Sequence, residues 1–219
     1  MFDPKAEKTV YFVRHGQSED NVAPRFQSDD SPLTETGVMQ ADMIASRAAE
    51  IEFDALISSP HPRTKDTAEA IARKTGKTPE YSELFIESVK PTGLAGKMYS
   101  DPEANALWLQ WHKSQGDPSV RVRDGENYSD LLARADKALA YLLSRPEKGI
   151  LVVTHGFFLR TMLARVILGD TLSPENFRNI QSSVSSENTG ISVVQYAGGY
   201  QNAAPKWKLW TYNDHAHLG

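Results

Sequence analysis

The chain has 219 residues, of which 40% are hydrophobic and 24% charged, a formal net charge of −4 and no cysteine. That length suits one sizeable α/β domain and is short for two domains with separate cores. The lack of cysteine excludes disulfides, thiolate metal ligands and a cysteine nucleophile. The negative charge gives nucleic acid or an anionic membrane nothing to bind outside a local basic patch. The opening "MFDPKAEK" has no apolar leader region and no run of about 18 apolar residues follows anywhere, so a cytoplasmic protein without nucleic-acid or membrane partners is expected.

In chain order, "TVYFV" (9–13) reads as a strand rich in β-branched and aromatic residues. Residues 35–50 carry Val38, Ala41, Ile44, Ala45 and Ala48 at helical spacing behind Thr34, a candidate cap. "ALIS" (55–58) is a second strand, and 62–74 a helix opened by Pro62. From about Ser88 to Glu126 the periodicity weakens and Pro91, Pro102 and Pro118 interrupt it, which predicts an inserted loop or lid. A helix over 127–144, a strand over 150–154, a helix over 156–168 and strands over 191–196 and 208–212 complete the pattern. Such alternation predicts a three-layer α/β/α fold, with a mainly parallel central sheet, helices on both faces and an inserted lid region, as one domain over 1–219.

Three strands end on cationic or potentially cationic groups. The first runs into Arg14-His15-Gly16, the second into "SPHPR" with Arg63, and the third into His155-Gly156. In open parallel sheets ligands bind beyond the carboxyl ends of the strands, so these distant residues can converge. Two guanidiniums and two imidazoles suit a phosphoryl group, with the arginine forks on its oxygens and an imidazole as donor or nucleophile. Gly16 and Gly156 would let the backbone approach the ligand or permit a tight turn. Taken singly, each residue also fits a solvated strand end, a helix-surface charge or a hydrogen-bonded core histidine.

"VRHGQSEDN", "SSPHPRTKDTA" and "VVTHG", with "SPLTETGVMQA", "DGENYSD" and the closing "YNDHAHL", resemble the signature segments of the histidine phosphatase superfamily, the phosphoglycerate mutase-like proteins, in that family's order. The resemblance implies His15 as nucleophile forming a phosphohistidine, Arg14, Arg63 and His155 as the phosphoryl clamp, and Asn21 as a further donor. Glu87, two residues after Phe85 where the family's Leu-x-Glu pattern has leucine, is implied as the proton donor to the leaving oxygen, with Glu83 as fallback. The mutase pattern after that acid survives here only as Gly96-Lys97 within "SVKPTGLAGKMYS".

The expected function is therefore a metal-independent phosphatase acting on a small phosphorylated metabolite, without a cofactor or metal. The alternatives are mutase-type phosphoryl transfer and a catalytically idle phosphate-binding protein. The lid carries Lys90, Lys97, Tyr99, Trp108, Trp111, His112, Arg121 and Arg123, which either line a substrate pocket or pack the loop onto the body. His215 and His217 lack a third ligand nearby in sequence and are not expected to hold a metal. His61 is expected at the rim, and the tail strands are candidates for homodimer contacts.

Overall fold

The computed structural model describes residues 6–198 and 204–219. Of the opening stretch read for a leader, residues 1–5 lie outside them. The described strands are β1 (Lys8–Arg14), β2 (Ala55–Ser58), β3 (Pro79–Tyr81), β4 (Gly149–Thr154), β5 (Ile191–Ala197) and β6 (Lys206–Asp214). They form one sheet in the order β3-β2-β4-β1-β5-β6. The first four run parallel; β5 lies antiparallel on β1, and β6 antiparallel on β5.

Around the sheet lie α1 (Glu19–Val22), α2 (Glu35–Ala48), α3 (Pro62–Thr75), α4 (Pro102–Ser114), α5 (Tyr128–Ser144), α6 (Gly156–Leu168) and α7 (Pro174–Ser183). Successive side chains of a strand point to opposite faces, and β1 shows the result. Tyr11 and Val13 pack with Ile44 of α2 and Ile71 of α3, whereas Val10 and Phe12 pack with Leu131 of α5 and Phe158 of α6. Coverage of both faces explains why β1 and β4 read as continuous apolar runs rather than alternating ones. No described helix is long and apolar enough to cross a membrane.

The helix ends follow local chemistry. The Thr34 hydroxyl caps α2 by accepting the Gly37 N–H at 3.0 Å. Pro62 occupies the first turn of α3, and Gly76 ends that helix at φ 71°, a left-handed conformation that favours glycine.

The segment 88–126 contains a helix that periodicity alone does not predict. Pro102 opens α4 rather than breaking the chain, and the Asp101 carboxylate caps it by accepting the Glu103 and Ala104 amides. Asp101-Pro102 is thus a helix start and not the interruption that proline alone suggests. Ser173-Pro174 opens the likewise unforeseen α7 in the same way. Phe26 forms a small apolar cluster with Leu94, Ala104 and Leu107 of the 88–126 segment, flanked by Trp108 and Val122. Trp111 Nε1 and Gln115 Nε2 both donate to the Glu126 carbonyl at 2.8 Å and tie α4 to the end of the segment.

Register decides what meets at the sheet's carboxyl edge. Arg14 of β1 lies opposite Thr154 of β4, and Ser58 of β2 opposite Val153. One residue further, His15 N–H donates to the Thr154 carbonyl at 3.0 Å and Ser59 N–H to the Val153 carbonyl at 3.0 Å. The three strand ends therefore lie side by side.

Candidate active site

His15 is buried, and its Nδ1 lies 2.6 Å from the Gly16 carbonyl oxygen. A carbonyl only accepts, so Nδ1 carries the proton and Nε2 keeps its lone pair. Burial first, then the Arg63 and Arg14 charges, hold its pKa well below the ordinary 6.5, so the ring is neutral at pH 7. The His155 ring stands edge-on to it with centroids 5.1 Å apart. His155 Nε2 meets Ser59 Oγ at 2.8 Å, while its buried Nδ1 has no protein partner. Burial, then Arg63 and His15, push its pKa well below 6.5 too. His61 supplies a third imidazole, half-buried and 5.1 Å from His155 between centroids, but it is not among the residues lining the cavity described below.

Arg63, 1% exposed, donates through one terminal nitrogen to the Ser28 and Asp29 carbonyls at 3.0 and 3.1 Å, and its Nε has no partner. Those carbonyls are positioned by Asp20, whose carboxylate accepts the Ser28 N–H and hydroxyl at 2.8 and 2.9 Å. Arg14 donates to the Ser186 carbonyl, and its Nε is also unpartnered. Buried N–H groups are nearly always paired. Arg14 Nε, Arg63 Nε and His155 Nδ1 together break that rule in one place.

Glu87 is buried, with Oε1 accepting the Ser88 and Phe158 amides at 2.9 and 3.0 Å and Oε2 the Phe157 amide at 3.2 Å. The carboxylate thus sits on the first turn of α6, where the helix dipole favours an anion. Burial alone would raise its pKa, but Lys90, these amides and Arg63 outweigh it, and the group is held below 4.5. Glu83, the fallback, is exposed on the single turn Glu83–Phe85 and is not among the residues lining the cavity described below.

A cavity of about 660 Å³ opens over Arg14, His15, Asn21, Glu87 and Gly156. Asn21 Oδ1 accepts the Ser18 and Asn188 N–H groups at 3.0 and 3.3 Å, which leaves its amide nitrogen for a ligand. Gly156 lies against Arg14, whose Nε would be 3.2 Å from any Cβ there. Gly16 does not line the cavity. Its α-carbon faces α2, where a Cβ would come within 2.5 Å of the Gly37 carbonyl oxygen, so of the two sequence readings the close turn describes it.

The aromatic and cationic residues named over 88–126 fall into different surroundings. Lys90, Tyr99, Trp108, Trp111 and His112 line the cavity, with Trp108 stacked on His112 at 4.9 Å and tilted toward Phe26 at 6.2 Å. Arg121 instead pairs with Asp130 at 2.6 Å, Arg123 donates to the Thr92 carbonyl, and Lys97 is exposed. His217 and His215 are engaged locally, with Thr189 Oγ1 and the Asn213 carbonyl.

Sequence reasoning missed several residues that shape this site. Ser59 carries no signal of its own within "SSPHPRTKDTA", nor does Asn188, which donates to the His15 carbonyl at 2.8 Å. Arg134 of α5 lies under Glu87, donating to the Ile86 and Glu87 carbonyls at 2.8 and 3.2 Å and pairing with Glu126 at 2.7 Å. It reads in sequence as one more charge on an amphipathic helix.

Residues 10–209 match the Histidine phosphatase superfamily (branch 1). A relative from Proteus mirabilis named probable phosphoglycerate mutase GpmB is 34% identical, covering 95% of this chain and 94% of that protein. A relative from Arabidopsis thaliana named probable 2-carboxy-D-arabinitol-1-phosphatase is 32% identical over 94% of this chain and 41% of that protein. Among solved structures, Bacillus stearothermophilus YhfR superposes with a TM-score of 0.77 at 26% identity, covering 97% of this chain and 100% of its own. With the match running from β1 into β6, this chain belongs to the histidine phosphatase superfamily.

Proposed function

We propose that the protein is a metal-independent phosphomonoesterase, a single domain with 88–126 as its lid, that works through a phosphohistidine on His15. The observation that carries this reading is the neutral His15 ring, its Nδ1 committed to the Gly16 carbonyl and its Nε2 free, among unpartnered nitrogens of Arg14, Arg63 and His155. Arg14, Arg63 and Asn21 hold the non-bridging oxygens of a small phosphorylated metabolite, and His155 does so through Nδ1–H. The His15 Nε2 lone pair forms the N–P bond as the ester P–O bond breaks. The transition state spreads charge over the equatorial oxygens, and the guanidiniums, already in place, stabilise it without reorganisation.

The departing alkoxide takes a proton from Glu87. That carboxyl is ionised in the free site, and a bound phosphoryl dianion raises its pKa so that it enters the first step protonated. In the second step Glu87 accepts a proton from water as the water oxygen attacks phosphorus. The N–P bond breaks, and phosphate leaves with His15 neutral again.

Phosphate release from 4-nitrophenyl phosphate and from a panel of phosphorylated metabolites, in EDTA, tests the reading against a His15→Ala control. Turnover no greater than the control would remove it. A second reading, mutase-type transfer, is favoured by the names of relatives such as the one from Proteus mirabilis. It predicts interconversion of 3- and 2-phosphoglycerate faster than their hydrolysis. The reduction of the mutase-like segment to Gly96-Lys97 favours water as the acceptor.

A further inference from the structure

Lys90 lines the same cavity as Arg14, His15 and Glu87. Other lid cations have protein partners or face solvent, as Arg121, Arg123 and Lys97 show. Among the described residues, no carboxylate lies within ion-pair distance of the Lys90 ammonium and no acceptor takes its protons. The charges facing it are Glu87, Arg63, Asp29 and Asp20. Asp20 is already engaged by Arg25 and Ser28, and the Asp29 side chain is 82% exposed. Both oxygens of Glu87 are occupied by backbone amides.

The backbone beside Lys90 is nonetheless fixed. Val89 N–H donates to the Glu126 carboxylate and Glu126 N–H to the Val89 carbonyl, both at 2.9 Å. An ammonium held half-buried near Arg63 without a partner costs free energy unless an anion arrives. Arg14 and Arg63 are each anchored by backbone carbonyls, whereas the Lys90 ammonium is left to meet the anion.

We infer that Lys90 is a further catalytic residue, which binds a non-bridging oxygen of the phosphoryl group on its Glu87 side and stabilises the charge that develops there. This rests on the phosphoryl-transfer reading above. When the ammonium turns to the phosphoryl group it also ceases to hold a proton off Glu87, so substrate binding itself arms the acid.

Full-length Lys90→Met and Lys90→Arg proteins test this through two readouts, inorganic phosphate affinity by calorimetry and kcat/KM on 4-nitrophenyl phosphate. The nitrophenolate leaves without a proton, so an effect on this ester does not pass through Glu87. Lys90→Met is expected to weaken phosphate binding about 10-fold and lower kcat/KM about 100-fold. Lys90→Arg should restore most of both, and neither variant should lower the thermal unfolding midpoint, which Lys90→Met should if anything raise by removing the unpartnered charge. Phosphate affinity and turnover within twofold of wild type in Lys90→Met would overturn the inference and leave the hydrolase reading intact. Wild-type protein that binds phosphate yet hydrolyses no ester would overturn the hydrolase reading, and phosphate affinity alone would then judge Lys90. Wild-type protein that binds no phosphate would overturn both.

Discussion

The Phe158 backbone amide donates to Glu87 Oε1 at 3.0 Å, which fastens the proposed acid to the helix that begins one residue after His155. Strand β4 thus delivers His155, the proposed phosphoryl ligand, and the helix following it anchors the proposed proton donor. Glu87→Gln keeps the size and most of the hydrogen bonding but not the proton transfer. Steady-state kinetics should show kcat/KM, which reports only the first step, falling about 10²- to 10³-fold on alkyl phosphates, with a much smaller loss on 4-nitrophenyl phosphate. Equal losses of kcat/KM on both esters would mean that Glu87 has another role.

Stability should depend on pH in a direction set by the buried imidazoles. His15 and His155 have folded-state pKa values well below 6.5, so the unfolded chain takes up protons there that the folded chain refuses. Their contribution is complete above about pH 6.5 and is lost as the pH falls below it, by up to about 1.4 kcal/mol per pH unit for each ring. His61 is lowered by burial as well and adds in the same sense. Glu87, held below 4.5, extends the loss at still lower pH. Urea unfolding at pH 7.5, 6.5 and 5.5 measures this, and a flat profile would contradict the buried neutral rings.

Gly37 of α2 is a close-approach position. A Cβ there would lie 1.9 Å from the Gln17 carbonyl oxygen, a backbone atom that moves only with the loop carrying His15. Gly37→Ala is therefore expected to cost about 1–3 kcal/mol and to lower kcat together with stability. Chemical denaturation and phosphate-release assays on the same preparation check it. An alanine protein with wild-type values for both would show that the loop has room the packing denies.

Arg134 braces the Glu87 backbone from below, with its guanidinium 3.8 Å from the Phe158 ring centroid and paired with Glu126. Both partners are mostly buried, at 13% and 14% side-chain exposure, so Arg134→Met strands a carboxylate and should cost about 3–5 kcal/mol. Pairing that change with Glu126→Gln should cost less than the sum of the single changes, as a double-mutant cycle measures. Strict additivity would deny the coupling.

Much of this arrangement was legible before the fold was known. Arg14, Arg63 and His155 could be grouped with His15 because a parallel sheet brings strand ends together and each strand announced itself by an apolar run. Thr34 and Pro62 announced their helices by cap chemistry. The helix α4 was hidden because Pro102 serves equally as a breaker and as a first-turn residue, and only Asp101 before it tells the two apart. Lys90 could be named but not placed, since no periodicity fixes a side chain on an irregular segment. Asn188 and Arg134 act through backbone carbonyls, and such bonds depend on where a loop passes rather than on which residue it carries.

The most direct measurement is chemical trapping of the enzyme during turnover of a radiolabelled phosphomonoester, followed by peptide mapping. The account predicts label on His15 that is stable in alkali and lost in acid, absent from His15→Ala and prolonged in Glu87→Gln, where water attacks slowly. Rapid hydrolysis by wild-type protein with no label on His15 would contradict it, as would label on a serine or an aspartate.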